Sequence, residues 1–185
     1  MHRKLLTVSL LALTLAFSGC AATGGGDVKE TPSPTQTFDP SLIPTAPAED
    51  ALAVDPAIFD NTYGEYTFKV SGGPTWCTIN GADGFVLCEQ NEADATYDPL
   101  NVPASCKLSY GYQIKLWGSK PSSGKTADFT CASGLYADPS TAQTLNPGET
   151  VTVGNITCFV TDVTARCDNK SGNYVVLGPE VWALG

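Results

Sequence analysis

The sequence predicts a mainly β domain, a small disulfide-stapled antiparallel sandwich or barrel, standing behind a disordered N-terminal tether. Three observations carry that expectation. Turn-forming residues recur every eight to twelve positions after residue 58, and the segments between them are rich in β-branched and aromatic residues. No window of eleven or more residues holds a 3.6-residue period, which leaves little room for helix. Six cysteines fall in the same region, an even count that suits an oxidising compartment. Residues 58–185 are long enough to bury a core of their own, so disulfides would reinforce the fold without being its sole support.

In chain order, strands are predicted at 66–70, 76–79, 85–88, 107–117, 129–131, 151–153, 156–160, 164–167 and 174–177. The first and last pairs of cysteines sit on short hairpins. In the segment from Cys77 to Cys88, Asn80-Gly81 and Asp83-Gly84 supply residues that tolerate positive φ, and folding there brings the two cysteines opposite one another. Cys158 and Cys167 are placed in the same way around Asp162. Opposed strand residues lie inside the disulfide range. The predicted bridges are therefore Cys77–Cys88, Cys158–Cys167 and, by remainder, Cys106–Cys131. The two hairpins also read as copies, which suggests a weak internal two-fold with two similar hairpins facing each other across one core. Zinc is the competing use of clustered cysteines, and the lack of a Cys-x-x-Cys pair argues against it.

The N-terminus carries an address. Met1-His2-Arg3-Lys4 is a basic start, Leu5 to Phe17 an apolar run too short to span a bilayer, and residues 1–19 read as a signal peptide. The stretch Leu15-Ala16-Phe17-Ser18-Gly19-Cys20 resembles the lipobox of bacterial lipoproteins, with Phe17 where that motif most often has leucine. The resemblance implies that Cys20 becomes a diacylated N-terminus, and two acyl chains make a stable membrane anchor. Residues 20–57 are dominated by Gly, Pro, Thr and acids, have few large apolar groups, and read as a disordered tether able to reach on the order of 100 Å. Such Thr/Pro-rich composition is also that of O-glycosylated stalks.

The cysteine order, Leu145-x-x-Gly148-Glu149-Thr150-Val151-x-Val153-Gly154-x-x-Thr157-Cys158, and Ser171-Gly172-Asn173-Tyr174 before an apolar strand stand together in the domain. With them the chain, from about Tyr66 to Leu184, resembles a family of secreted and lipid-anchored actinobacterial six-cysteine β domains of unknown function. A Gly-His-Gly-Phe-like stretch expected after the last cysteine is replaced by Gly172-Asn173-Tyr174, so no role for that histidine passes to this chain. The resemblance implies an address and a fold, and no activity.

The residue inventory narrows the chemistry. The one histidine, His2, leaves with the signal peptide, which removes Ser-His-Asp and Cys-His machinery and histidine-ligated metals from the mature protein. Six paired cysteines leave no thiolate. The segment from Gly118 to Thr126 has five residues between its glycines where a phosphate loop needs four, and Ser122 with Lys125 lacks the partner motifs of a Ser-x-x-Lys enzyme. A solvated loop is the better reading. Paired carboxylates stay open through Glu89, Glu92, Asp94 and Asp98, and so does a calcium site there or around Asp60, Asn61 and Glu65, without supporting spacing. No catalytic residue, cofactor or metal ligand is assigned.

Binding suits the surface better. Along the strand at 107–117, Tyr110, Tyr112, Ile114 and Leu116 alternate with Gly111, Gln113, Lys115 and Trp117, so Gln113, Lys115 and Trp117 are the candidate binding residues on the polar face. An indole there would stack on a sugar ring or a partner's apolar patch, unless a loop at 118–128 covers it. Trp76 and Trp182 are expected in the core. Losing Arg3 and Lys4 from ten basic residues leaves eight against nineteen acids, a net charge of −11, which disfavours nucleic acid and anionic headgroups. The sequons at Asn155 and Asn169 read as coincidence. The expected protein is thus lipid-anchored on the outer face of the cytoplasmic membrane, non-catalytic, and a binder or scaffold for an envelope protein or wall glycan. A carboxylate-dependent envelope hydrolase or lyase and an inhibitor of an envelope enzyme are the alternatives.

Overall fold

The computed structural model describes residues 38–61, 63–122 and 124–185. The predicted signal peptide, Cys20 and the predicted tether up to residue 37 lie outside the described residues. Among the described residues no helix is long and apolar enough to cross a membrane.

Twelve strands form two sheets: β1 (Leu52–Val54), β2 (Glu65–Val70), β3 (Trp76–Asn80), β4 (Phe85–Glu89), β5 (Ser109–Trp117), β6 (Ala127–Ala132), β7 (Gln143–Leu145), β8 (Glu149–Val153), β9 (Ile156–Val160), β10 (Ala165–Asn169), β11 (Tyr174–Leu177) and β12 (Trp182–Leu184). One sheet has the order β7-β2-β3-β4-β5-β6 and the other β1-β8-β9-β10-β11-β12. The arrangement is a sandwich and not a closed barrel. Nine predicted strands are present, with shifted ends, and β1, β7 and β12 are additional. The expected antiparallel pairing holds except that β1 runs parallel to β8 and β7 parallel to β2, so both sheets are mixed.

Alternation builds the core. Phe68, Cys77, Ile79, Val86, Cys88, Ile114 and Leu116 of one sheet face Val151, Ile156, Cys158, Val160, Cys167, Val175 and Leu177 of the other, all buried. All three predicted disulfides are present, and the hairpin pairs are direct register partners with Cα atoms 4.0 and 4.1 Å apart. The two hairpins meet mid-core, where Cys88 Sγ lies 3.9 Å from Cys167 Sγ. Of the two turn glycines in the first hairpin only Gly84 takes positive φ, at +67°. The Asn80 side chain closes that turn by accepting from the Asp83 amide at 2.7 Å.

The two-fold hinted by the hairpins extends through both sheets. Superposing register pair Cys77/Cys88 on Cys158/Cys167 matches Phe68 with Val151, Ile79 with Val160, Val86 with Ala165 and Ile114 with Val175. Strands β1 to β6 then correspond to β7 to β12, and the first strand of each half pairs in parallel with the second strand of the other. That exchange ties the halves together by backbone hydrogen bonds as well as by the shared core. Only the first half carries the third bridge, Cys106–Cys131.

Residues 38–57, which the sequence places in the tether, are folded onto the domain. Phe38, Leu42 and Ile43 pack on Val176, Val181 and Ala183, and the Phe38 ring meets Trp182 edge-on at 5.9 Å. Two Asp-Pro pairs build 3₁₀ turns, with the Asp39 and Asp55 side chains each capping an amide two residues on. The domain thus begins by residue 38. Composition hid this because three apolar side chains and one three-residue strand suffice when a ready sheet face and edge await them.

Candidate functional site

The candidate binding residues lie on the outer face of the β7-to-β6 sheet, where strand pairing sets side chains in rows. Glu65, Asn80, Phe85 and Trp117 are successive register partners on β2, β3, β4 and β5. Behind them run Thr67, Thr78, Leu87 and Lys115, and then Lys69, Trp76, Glu89 and Gln113. Residues 133–142 lie over the rear rows. Thr67, Thr78, Leu87, Trp76 and Glu89 are consequently buried although they point away from the sandwich core.

Glu89 fastens that cover. Its side chain is 0 % exposed. One carboxylate oxygen accepts from Gln113 Nε2 at 2.6 Å and the Tyr136 amide at 2.7 Å; the other accepts from Trp76 Nε1 at 3.0 Å and the Ala137 amide at 3.3 Å. Burial pushes the Glu89 carboxyl above the ordinary glutamate range, against the pull of those four donors. With its lone pairs engaged and no route to solvent, Glu89 is a structural anchor. Asp168, the matching position in the second half, works through Arg166, which forks onto it at 2.6–3.1 Å and donates to the Pro44 carbonyl at 2.7 Å. Each half therefore uses one acid to hold a covering segment.

The three predicted binding residues divide. Gln113 is an internal brace, donating to Glu89 and to the Gly134 carbonyl at 2.7 Å while accepting from Thr130 Oγ1 at 3.0 Å. Lys115 lies over the aromatic row, its Nζ 3.9 Å from the Phe85 ring centre and 4.8 Å from that of Trp117. Burial holds the Lys115 amine below the usual lysine range, and Asp83 pulls the other way. Trp117 is half-buried, edge-on to Phe85 at 5.3 Å, and lines a groove of about 280 Å³. Both sheets contribute to it, through the turn at 80–84, Gly118 and Ser119, and the β8–β9 turn with Asn155. The Gly118 amide donates to the Gly84 carbonyl at 2.7 Å, and a Cβ on Gly118 would stand 3.0 Å from that oxygen, so glycine lets the two turns close up.

The other two tryptophans depart from expectation. Trp76 is buried, but beneath the covering loop on the outer face; Trp182 is only half-buried, against Phe129 at 5.1 Å and Phe38. Glu92, Asp94 and Asp98 do not join Glu89. Asp94 takes a hydrogen bond from Asn91 at 2.9 Å, and Glu92 and Asp98 are surface residues. Lys125 pairs with Asp128 at 3.0 Å and is not poised over an anion loop. Asn169, half of one sequon pair, is buried and donates to the Trp117 carbonyl at 2.8 Å.

A second cleft of about 380 Å³ brings together Asp60, Glu65 and Asp138 beside Tyr136. Glu65 accepts from Asn61 and Asn80, both at 3.1 Å, and from the Tyr136 hydroxyl. Burial and the Glu65 contact push the Tyr136 phenol up. Asn61 is engaged by Glu65 and the Tyr63 amide, so it is not held ready for a cation. Among the described residues, the group of three metal-type ligand atoms that converge is Cys77, Cys88 and Cys167, all in disulfides. No family model, curated protein or solved structure matches this chain. The sequence names Glu65 only with Asp60 and Asn61 as a calcium candidate, and Asn80 only as a turn residue; their register pairing is visible once the hairpin is drawn, and Tyr136, which sequence reasoning missed, sits in a loop with no periodic signal.

Proposed function

We propose that this protein is lipid-anchored on the outer face of the cytoplasmic membrane, resembling actinobacterial six-cysteine domains, and that its sandwich binds a ligand without transforming it. The observation that carries this reading is the division of labour on the outer sheet face. Glu89, the carboxylate in the rear rows of β2 to β5 on that face, is consumed with Gln113 in holding the cover, while Trp117 lines a groove built by both halves. The lipobox-like Leu15 to Cys20 and the Pro/Thr-rich stretch behind it support the anchored address.

Membrane fractionation with intact-mass measurement tests the address. The native protein is expected in the membrane fraction, lacking residues 1–19 and carrying a diacylglycerol adduct that Cys20→Ala abolishes. An unmodified protein in the medium contradicts it.

A second reading, a carboxylate-dependent hydrolase or lyase, is favoured by the convergence of Asp60, Glu65 and Asp138 on one cleft. It requires turnover of wall glycan or peptide that Glu65→Gln and Asp138→Asn abolish. The binding reading expects no turnover.

A further inference from the structure

We infer that the Trp117 groove is a carbohydrate-binding site for an uncharged sugar chain. This deepens the reading of the domain as a non-catalytic binding module and rests on it. The groove's volume, about 280 Å³, falls just below the roughly 300 Å³ at which sites for drug-sized ligands begin, and suits one or two sugar rings of a longer chain.

The apolar side of the site is fixed in advance. Trp117 is the last of the row Glu65, Asn80, Phe85, Trp117; Phe85 meets its indole edge-on, the Lys115 ammonium lies over one side of the ring at 4.8 Å, and the half-exposed remainder lines the groove. A rigid, half-exposed indole offers stacking area at little entropic cost. Sugar rings present C–H faces that match such a platform.

The polar side offers both hydrogen-bond senses. Asn155 supplies an amide that donates and accepts, Ser119 a hydroxyl that does the same, and Asp83 a carboxylate acceptor. Sugar hydroxyls need that mixture, since each donates once and accepts in return. Asn80 is already committed to Glu65 and the Asp83 amide, so it shapes the turn and leaves contact to the others.

Charge selects among glycans. Asp83 and Lys115 offset one another beside the groove, and among the described residues no cationic side chain lines it. A chain with nineteen acids against ten basic residues repels polyanions at longer range. An uncharged hexose or N-acetylhexosamine polymer fits; uronate and phosphate polymers do not.

The test is a titration of the full chain, purified in detergent, with cellohexaose, chitohexaose and mannohexaose, and with hexagalacturonate as the anionic comparison. Tryptophan fluorescence and calorimetry report binding. At least one neutral hexasaccharide is expected to bind saturably with Kd below the millimolar range. Trp117→Ala is expected to weaken it at least tenfold, Asn155→Ala several-fold, and Leu135→Ala, on the covering loop away from the groove, not at all. Trp117→Phe keeps an aromatic ring beside Phe85 and is expected to fall between wild type and alanine, which separates lost stacking from lost folding. Absence of binding by all three neutral sugars, equal affinity in the Trp117→Ala and Asn155→Ala variants, or preference for hexagalacturonate overturns the assignment. If none of the sugars binds while a photo-crosslinker at Asn155 captures one reproducible protein in cells, the ligand class falls and the binding module stands. Release of reducing ends from a bound sugar overturns the binding-module reading itself.

Discussion

Replacing Glu89 by alanine removes the carboxylate that four donors share. Gln113 Nε2 keeps the Gly134 carbonyl, and the Tyr136 and Ala137 amides recover water if the covering loop lifts. Trp76 Nε1 cannot recover it without exposing an indole that is now 2 % exposed. A buried donor losing its partner costs about 1–3 kcal/mol, and breaking a buried charged network costs about 3–5 kcal/mol. Relief from burying a carboxylate offsets part of this, so Glu89→Ala is expected to lose about 3 kcal/mol. Glu89→Gln is expected to lose about 2 kcal/mol, because its NH₂ must face two of the four donors. Guanidinium denaturation gives the free energies, and hydrogen exchange at Tyr136 and Ala137 locates the change. A loss below about 1 kcal/mol for Glu89→Ala, with both amides still protected, would refute the anchoring role.

Other consequences follow from the same contacts. Because burial raises the Glu89 pKa in the folded state, its contribution is fully present below the ordinary value of 4.5 and is lost as pH rises through the folded value. The stability gap between wild type and Glu89→Gln is therefore expected to narrow with rising pH from that value, and a widening gap contradicts the sign. Arg166→Ala frees the Pro44 carbonyl and is expected to cost about 2 kcal/mol while opening residues 38–47 to proteolysis; Arg166→Lys, which lacks the fork, restores little of this. Tyr97 donates to the Gly111 carbonyl at 2.7 Å and accepts from Gln90 at 3.0 Å, both buried, so Tyr97→Phe is expected to lower stability by about 1–2 kcal/mol in thermal melts.

The parts of the fold legible in sequence are those whose information is local. Short loops set Cys77 against Cys88 and Cys158 against Cys167, and residue alternation separates Ile114 and Leu116 from Gln113, Lys115 and Trp117. Strands β1 and β7 were not legible: three residues show no period, and Leu52-Ala53-Val54 before Asp55-Pro56 has linker composition. Their pairing depends on exposed edges of strands in the opposite half. In sequence Glu89 is grouped with Glu92, Asp94 and Asp98 as an acid following the first hairpin; only residues 133–142, distant in sequence, bury it and part it from the others. The site was legible to the same extent. Trp117 was named from its strand, whereas the Ser119 and Asn155 sides of its groove come from elements whose approach across the two sheets no local pattern reports.

In-cell photo-crosslinking from position 83, at the rim of the groove, tests the central claim most directly. A ligand-binding module predicts one dominant adduct that disappears with Trp117→Ala and carries its ligand chemically intact. No adduct at the groove, together with wall-glycan turnover abolished by Glu65→Gln, would contradict it and make the acidic cleft the working site.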